Sequence, residues 1–473
     1  MIASLKPYPS YKDSGAPWLG RMPEGWGVKK VRHIAKLFTS NVDKKKVPGE
    51  VEVRLCNYTN VYKNELITND LPFMKASAAE EEVRKFKVKK GDVPLTKDSE
   101  IWTDIGVPAY VDYEAPDLVY GYHLAILRPR SEAVDGKYLF RALQSQPVAV
   151  QLHVEATGVT RFGLSQEAIK STILPHPLLP EQRAIVKFLD WAERRIRFIV
   201  AARKRRIQLL EEYRQALIND AVTGKFDVRT GKPYPSYKGS GVPWLGKVPV
   251  QWEIVRLKRI ARLAYGDSLP ANERQKGEVP VYGSNGPVGS HNSANTAVPV
   301  IIIGRKGSFG KIQYSDKRVF AIDTTFFIDK RYTDADLRWL FYMLSQLELD
   351  RPSQDSAVPG LDREEAYQKL TVLPPLPEQR AIAEYLDREI AKIDAAIEKT
   401  KESTALWEEL RETLISDVVT GKLDVREAAE RLPEEEPELE ERVKALEGLL
   451  LGGESEVSRA DSEPELASAE ETA

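Results

Sequence analysis

The chain has 473 residues, a formal net charge of −2 and 42% hydrophobic residues, enough for two or three domains with cores of their own. Its single cysteine, Cys56, excludes an intrachain disulfide and a cysteine zinc site and fits a reducing cytoplasm. No basic start followed by an apolar run marks a signal peptide, and the longest strongly apolar stretch, Ala297 to Ile303, is too short to span a bilayer, so a cytoplasmic protein without membrane contact is expected.

A turn-rich strap comes first, with Tyr8-Pro9-Ser10-Tyr11-Lys12 and Pro17-Trp18-Leu19-Gly20, and its tryptophans read as packing anchors. After Trp26 the spacing of Val28, Val31, Ile34, Ala35 and Leu37 predicts a short amphipathic helix. An insert from about Phe38 to Ile173 carries strand-like runs (Glu52 to Leu55, Leu124 to Leu127) and then a helix near Asp135 with Tyr138, Leu139, Ala142 and Leu143 on its apolar side. Pro180 opens a long helix. Its apolar stripe falls at Ile185, Leu189, Ala192, Ile196, Ile199, Ile207, Leu210 and Leu217, is interrupted near Arg203, and stops before Gly224.

The pattern then starts again. Tyr234-Pro235-Ser236-Tyr237-Lys238 and Pro243-Trp244-Leu245-Gly246 repeat the strap 226 residues on, and Ile254, Leu257, Ile260, Ala261 and Leu263 repeat the helical spacing. A second, unlike insert, from about Ala264 to Leu370, has strands at Val300 to Ile303 and Thr325 to Ile328 and a helix with Leu337, Leu340, Phe341 and Leu344. Leu376-Pro377-Glu378-Gln379-Arg380-Ala381-Ile382 then repeats Leu179-Pro180-Glu181-Gln182-Arg183-Ala184-Ile185 at an offset of 197, and Val419-Thr420-Gly421-Lys422 repeats Val222-Thr223-Gly224-Lys225 at the same offset. The second long helix carries Ile382, Leu386, Ile390, Ile393, Ile397, Trp407, Leu410, Leu414 and Val418. Each long helix has roughly 40 residues, about 60 Å at 1.5 Å per residue. A single apolar stripe of that length needs a partner, and the nearest is its own repeat. The expected fold is α/β: two globular α/β domains separated by two long antiparallel helices in a coiled coil, a pseudo-two-fold internal repeat. The expected boundaries are 1–177 for the first strap and insert domain, 178–224 for the first spacer helix, 225–374 for the second strap and insert domain, 375–426 for the second spacer helix, and 427–473 for an acidic tail. That tail is expected to be mostly disordered, with room for a short helix from Glu440 to Leu451.

The near-neutral total conceals an asymmetry. Residues 427–473 hold 16 acidic and 4 basic side chains, leaving 55 acids and 65 bases in the body. A basic body points towards a polyanion partner. Catalytic signatures are few. Gly304-Arg305-Lys306-Gly307-Ser308-Phe309-Gly310-Lys311 fails as a phosphate loop, because its glycines are six apart and Ile312 stands where a hydroxyl would hold magnesium. It reads instead as a DNA-contacting loop or as an ordinary glycine hairpin. Pro116-Asp117 followed by Asp135-Gly136-Lys137 fits a loose nuclease pattern, but Asp336 opens the equivalent helix without a lysine, so a helix cap accounts for both copies. The five histidines (His33, His123, His153, His176, His291) lack metal-ligand spacing, and no adenine-methyltransferase tetrapeptide, Gly-x-Ser-x-Gly or helicase box is present. A non-catalytic chain without its own metal or cofactor is expected. The candidate DNA contacts are Lys89, Lys90, Lys97, Thr160 and Arg161 in the first insert and Ser284, Asn285, Arg305, Lys306 and Lys311 in the second. Phosphates favour Lys, Arg and backbone N–H groups, whereas base edges favour Arg, Asn, Ser and Thr at loop tips and strand ends. Arg203-Lys204-Arg205-Arg206 offers a seat for a backbone phosphate but reads rather as a solvated helix face.

These phrases together resemble the DNA-specificity subunits of type I restriction–modification systems. The resemblance rests on Tyr11 to Gly15, Pro17 to Gly20 and Pro23 to Trp26 with their second copies, and on the proline-rich starts Pro177 to Ile185 and Pro374 to Ile382. Tyr282 to Gly286, Gly304 to Gly310, Gly163-Leu164 and Gly360-Leu361 add to it. It covers about residues 8 to 426; the acidic tail has no counterpart. The resemblance implies that each insert is a target-recognition domain reading one half of an asymmetric bipartite site on double-stranded DNA, with the helices as a ruler. It also implies docking of two methyltransferase (modification) subunits and of motor-nuclease (restriction) subunits. S-adenosylmethionine, ATP and Mg would then belong to those partners. The repeated segments would supply the docking and spacer residues Leu179, Gln182, Ile185, Leu189, Ile196, Leu376, Gln379, Ile382, Leu386 and Ile393. A helical interaction scaffold without DNA specificity and a nuclease are the alternatives.

Overall fold

The computed structural model describes residue 2 and residues 5–351, 360–433 and 436–457, with side chains to residue 450. The chain divides into two compact units, residues 1–205 with 401–473, and residues 206–400. Each therefore holds one strap, one insert domain and part of each long helix.

In the first unit, β1 (Gly27–Lys30) leads into a single helical turn and then β2 (Ala35–Thr39). The insert contains β3 (Val51–Cys56), β4 (Met74–Ala78), β5 (Val93–Thr96), β6 (Leu118–Tyr120), β7 (Leu124–Pro129) and helix α1 (Gly136–Gln144), and β8 (Ile173–His176) closes it before the long helix α2 (Leu179–Val222). One sheet has the order β2-β7-β5, all antiparallel; another has β6-β3-β4. The expected helix after Trp26 is thus corrected to one turn, Val31–Ile34. Its flanks are claimed by strand pairing, Gly27 to Lys30 against His176 to Ile173, which outweighs a five-residue helical pattern.

The second unit follows the same plan. β9 (Glu253–Arg256) pairs with β13 (Leu370–Leu373) and is again followed by one turn, Leu257–Ile260. Between them, β10 (Val300–Gly304) is flanked by β11 (Ile312–Ser315) and β12 (Thr325–Asp329), with helix α3 (Leu337–Leu344) behind; α4 (Leu376–Val419) follows β13. The capping reading holds in both copies. Asp135 accepts from the Lys137 and Tyr138 N–H groups, and Asp336 from those of Arg338 and Trp339.

Both long helices are unbroken over 44 residues. In the first unit the early part of α2 (Ile185, Phe188, Leu189, Ala192, Ile196) shares a core with the late part of α4 (Leu414, Ile415, Val418, Val419). In the second unit the late part of α2 (Leu217, Ile218, Ala221, Val222) meets the early part of α4 (Ile382, Leu386, Ile393, Ile397). The helices are therefore antiparallel within each unit. Around the expected interruption, Ile199 and Ile207 are half-buried, and Lys204 is exposed and paired with Glu408 at 3.1 Å. Both helices end before a glycine of positive φ, Gly224 (+74°) and Gly421 (+75°).

The straps cap those ends. The Tyr11 hydroxyl donates to the Gly421 carbonyl at 3.0 Å, and Tyr237 to that of Lys225 at 2.8 Å. Packing anchors are Trp26 and Trp252, both buried; Trp18 and Trp244 are instead 44% and 38% exposed, which corrects the reading of the strap tryptophans.

The expected disorder of the acidic tail is corrected for the part described. Two helices, α5 (Arg426–Glu430) and α6 (Pro437–Val457), follow α4, and α6 includes the expected Glu440–Leu451 helix. Arg195 of α2 makes a two-pronged pair with Glu436 (2.6 and 2.7 Å), Arg197 pairs with Glu447 at 2.8 Å, and Val443 is fully buried. Positions 458–473 lie outside the described residues. Among the described residues no helix is long and apolar enough to cross a membrane.

Candidate nucleic-acid interface

In the first insert, β5 ends at Thr96, in the core. Thr96 exchanges hydrogen bonds with the far side of its loop, accepting from Gly106 (2.9 Å) and donating to Val107 (3.1 Å). Residues 97–105 are thereby set off as a loop at the strand end. Its first residue, Lys97, is gripped by the backbone: its N–H donates to the His123 carbonyl (3.2 Å) and its carbonyl accepts from Leu164 (2.8 Å). The Lys97 ammonium lies 2.8 Å from Asp98 Oδ2, and the same oxygen is 2.6 Å from His123 Nδ1. Burial pushes the Asp98 carboxyl up, but the bonds from Lys97 and His123 outweigh it and hold it below the usual aspartate range. His123 sits at φ +70°, in the left-handed region that a non-glycine side chain rarely occupies. Beside this cluster, Ile101 and Trp102 are 57% and 48% exposed. The turn with exposed Thr160 and Arg161 abuts it, since Phe162 pairs with Ser99.

The second insert repeats the arrangement with other side chains. β10 ends at Gly304, which donates to the Lys311 carbonyl (2.8 Å) and accepts from Gly310 (2.9 Å). Arg305 is gripped as Lys97 is, donating to the Thr324 carbonyl (2.8 Å) and accepting from Leu361 (2.9 Å). Only glycine fits at 304, because a Cβ there would stand 2.2 Å from the Ser308 carbonyl oxygen. The Arg305 guanidinium lies over the Tyr265 and Phe326 rings, 5.1 and 5.8 Å from their centroids. Lys311 Nζ donates to Asn285 Oδ1 at 2.7 Å, and Lys306 and Asn285 are exposed.

The structure thus gathers Lys97, Thr160 and Arg161 in one domain and Asn285, Arg305, Lys306 and Lys311 in the other. Lys89 and Lys90 lie apart, on the turn at the opposite end of β5, where Lys90 pairs with Asp112 at 2.8 Å. Ser284 is buried and donates to the Thr324 carbonyl at 2.7 Å, supporting the loop from beneath. Gln182, Ile185, Leu189, Ile196, Gln379, Ile382, Leu386 and Ile393 are buried inside the chain, whereas Leu179 is half-buried and Leu376 is exposed. The carboxylates of the nuclease pattern are engaged elsewhere: Asp117 pairs with Arg54 at 2.7 Å, and Asp135 caps α1.

Sequence reasoning missed Asp98, His123 and the matched placement of Lys97 and Arg305. These two cations are 208 residues apart in numbering, off the 197-residue repeat, because the loops after them differ in length. The one trace was Gly163-Leu164 with Gly360-Leu361, whose leucine N–H groups hold the two carbonyls.

The family description "Type I restriction modification DNA specificity domain" matches residues 23–209 and 249–404. The type I restriction enzyme EcoDI specificity subunit of Escherichia coli is 22% identical over 179 residues, which are 38% of this chain and only 40% of that relative's length. Among solved structures, a chain from work on complex assembly and conformational transition of the type I R-M system aligns over 85% of this chain and 99% of its own, at TM-score 0.64 and 19% identity. The HsdS subunit from Thermoanaerobacter tengcongensis aligns over 85% and 98%, at TM-score 0.48 and 19% identity. The likeness to the first of these is one of fold.

Proposed function

The chain belongs to the type I restriction–modification DNA specificity family, and from that premise we propose that it reads an asymmetric two-part DNA site for a complex whose other chains carry the catalysis. Each insert domain reads one part. The two long helices set the unread gap between them, and the repeated straps and helix starts offer docking places for two methyltransferase subunits. Motor-nuclease subunits complete the restricting assembly. S-adenosylmethionine, ATP and Mg are bound by those partners and not by this chain.

The observation that carries this reading is a duplicated frame holding two unlike domains, each ending a buried strand in a cation-bearing loop: Lys97 in one, Arg305 with Lys306 and Lys311 in the other. Repetition in the frame with divergence at the loops is the arrangement needed to read two different words with one construction principle. The excess of 65 bases over 55 acids outside the tail supplies the attraction to phosphate.

Expressing the chain with its methyltransferase in a host of known methylation tests the reading. The expected result is methylation at one asymmetric motif of two words separated by a fixed unread gap. Binding of the assembled complex to that duplex should weaken steeply as salt rises. A helical scaffold without DNA specificity would show neither result, and either absence sinks the proposal.

A further inference from the structure

Lys97 and Arg305 occupy one and the same structural position in two insert domains of unlike sequence. Each is the first residue beyond a buried strand, an edge strand in the first domain and an inner strand in the second. Each donates its N–H to the residue just before the neighbouring strand, His123 or Thr324, and each gives its carbonyl to the leucine of a Gly-Leu pair, Leu164 or Leu361. Such a pedestal fixes where the side chain starts while leaving its chemistry free to differ. We propose that Lys97 and Arg305 are the specificity-determining contacts of their domains, each reaching a base edge in the major groove and not a phosphate. This rests on the DNA-reading function proposed above and deepens it to single residues.

Three features favour base edges. A backbone held by two other chain segments at a strand end positions a side chain more narrowly than an exposed loop does, and base readout needs that precision whereas phosphate contact does not. Next, Lys97 shares Asp98 with His123. A carboxylate beside the cation would repel a phosphate. At a base edge it supplies an acceptor for a cytosine or adenine amino group while the ammonium donates to a guanine or thymine oxygen. Finally, Arg305 lies on two aromatic rings, which hold its planar fork in one orientation, and that fork matches guanine O6 and N7. The Lys306 N–H also reaches the Thr324 carbonyl, at 3.2 Å, but its side chain is exposed, which makes it the natural phosphate contact of the second loop.

The two domains should therefore differ at the base under the pedestal. Arg305 selects guanine, and the Lys97–Asp98–His123 set selects a base pair by the order in which its acceptor and its amino group lie across the major groove.

The test is the motif methylated by the assembled complex, scored at every single-base variant, for the wild-type chain and for Lys97→Ala, Arg305→Ala, Arg305→Lys and Lys306→Ala. Arg305→Ala should lower the preference at one position of one word by about 5- to 150-fold, leaving the other word and the gap intact. Lys97→Ala should do the same in the other word. Lys306→Ala should reduce methylation evenly across all variants, with a salt slope shallower by about one. Arg305→Lys keeps the charge but not the fork, so it should relax the same position partway, and it carries the test if the alanine variant does not fold. A wild-type motif left unchanged by the Lys97 and Arg305 substitutions, or weakened evenly by them, overturns this inference alone. A wild-type chain that directs no motif is instead a failure of the reading beneath it.

Discussion

Gln182 and Gln379 show what a repeated motif residue does when both ends of its amide are used inside the fold. Gln182 accepts from the Asp135 N–H at 2.9 Å and donates to the Pro177 carbonyl at 2.9 Å; Gln379 does the same with Asp336 and Pro374, at 2.8 Å each. Each amide thus ties the first turn of a long helix to the N-cap of the helix in its own insert domain. The preceding glutamates tie in the strap: Glu181 accepts from the Tyr8 hydroxyl at 2.9 Å, and Glu378 from Tyr234 and from the Trp252 indole at 3.0 and 2.8 Å. These residues stood out in the sequence because they repeat, yet repetition did not say whether they face a partner or the interior. Replacing Gln182 by alanine leaves the half-buried Asp135 N–H and the buried Pro177 carbonyl without this partner, at about 1–3 kcal/mol for a buried group. Gln182→Ala should therefore lower the denaturation midpoint of the isolated chain, with a stability loss of about 2 kcal/mol or more. An unchanged midpoint together with lost association with partner subunits would assign the residue to a surface role instead.

At the scale of elements, what was legible in the sequence is what local chemistry decides. The long helices, their proline starts and glycine stops, and the caps at Asp135 and Asp336 all fall where expected, because each depends on residues within one or two turns. The segment after Trp26 does not. Val28, Val31 and Ile34 are spaced for a helix, but β8 lies more than a hundred residues further on, and its pairing with β1 decides the conformation. The loops after β5 and β10 were equally hidden, since their equivalence lies in backbone hydrogen bonds and not in residue type. In the tail, composition gave the wrong answer for α6, which buries Val443 and sets Glu440 and Glu447 against Arg197 of α2. At the repeat positions of α4, Arg194, Arg195, Arg197 and Phe198 are replaced by Ala391, Lys392, Asp394 and Ala395, so the docking face of α6 exists only on the first helix. The ion pairs there are partly exposed and should each contribute little; buried Val443 is the stronger anchor. Val443→Asp would place an unpaired charge at a fully buried position of α6. Amide exchange over residues 437–450 should then rise sharply while the insert domains keep their protection. Unaltered exchange in that segment would show that the apolar seat is not what holds α6.

For the whole molecule, the consequence of two uninterrupted helices is a length that can be changed without touching the Lys97 or the Arg305 loop. Seven residues inserted after Arg203 in α2 and again after Lys401 in α4 keep the apolar stripe nearly in phase, because a heptad falls only about 20° short of two full turns. Matching insertions are needed since the helices are antiparallel, and lengthening one alone would put its stripe out of step with its partner. The paired insertion adds about 10 Å of helix, or about three base pairs at 3.4 Å each. If the helices set the gap, the methylated motif should keep both words and lengthen its unread stretch by about three base pairs. Three base pairs also turn the duplex by nearly a third of a helical turn, so the second loop meets its word from a rotated direction and modification should be slower. A gap that stays at its wild-type length would mean that something other than α2 and α4 separates the two words. A change in either word would mean instead that the insertion had disturbed the Lys97 or Arg305 pedestal, which can be read directly from whether the altered base is the one that Lys97→Ala or Arg305→Ala relaxes.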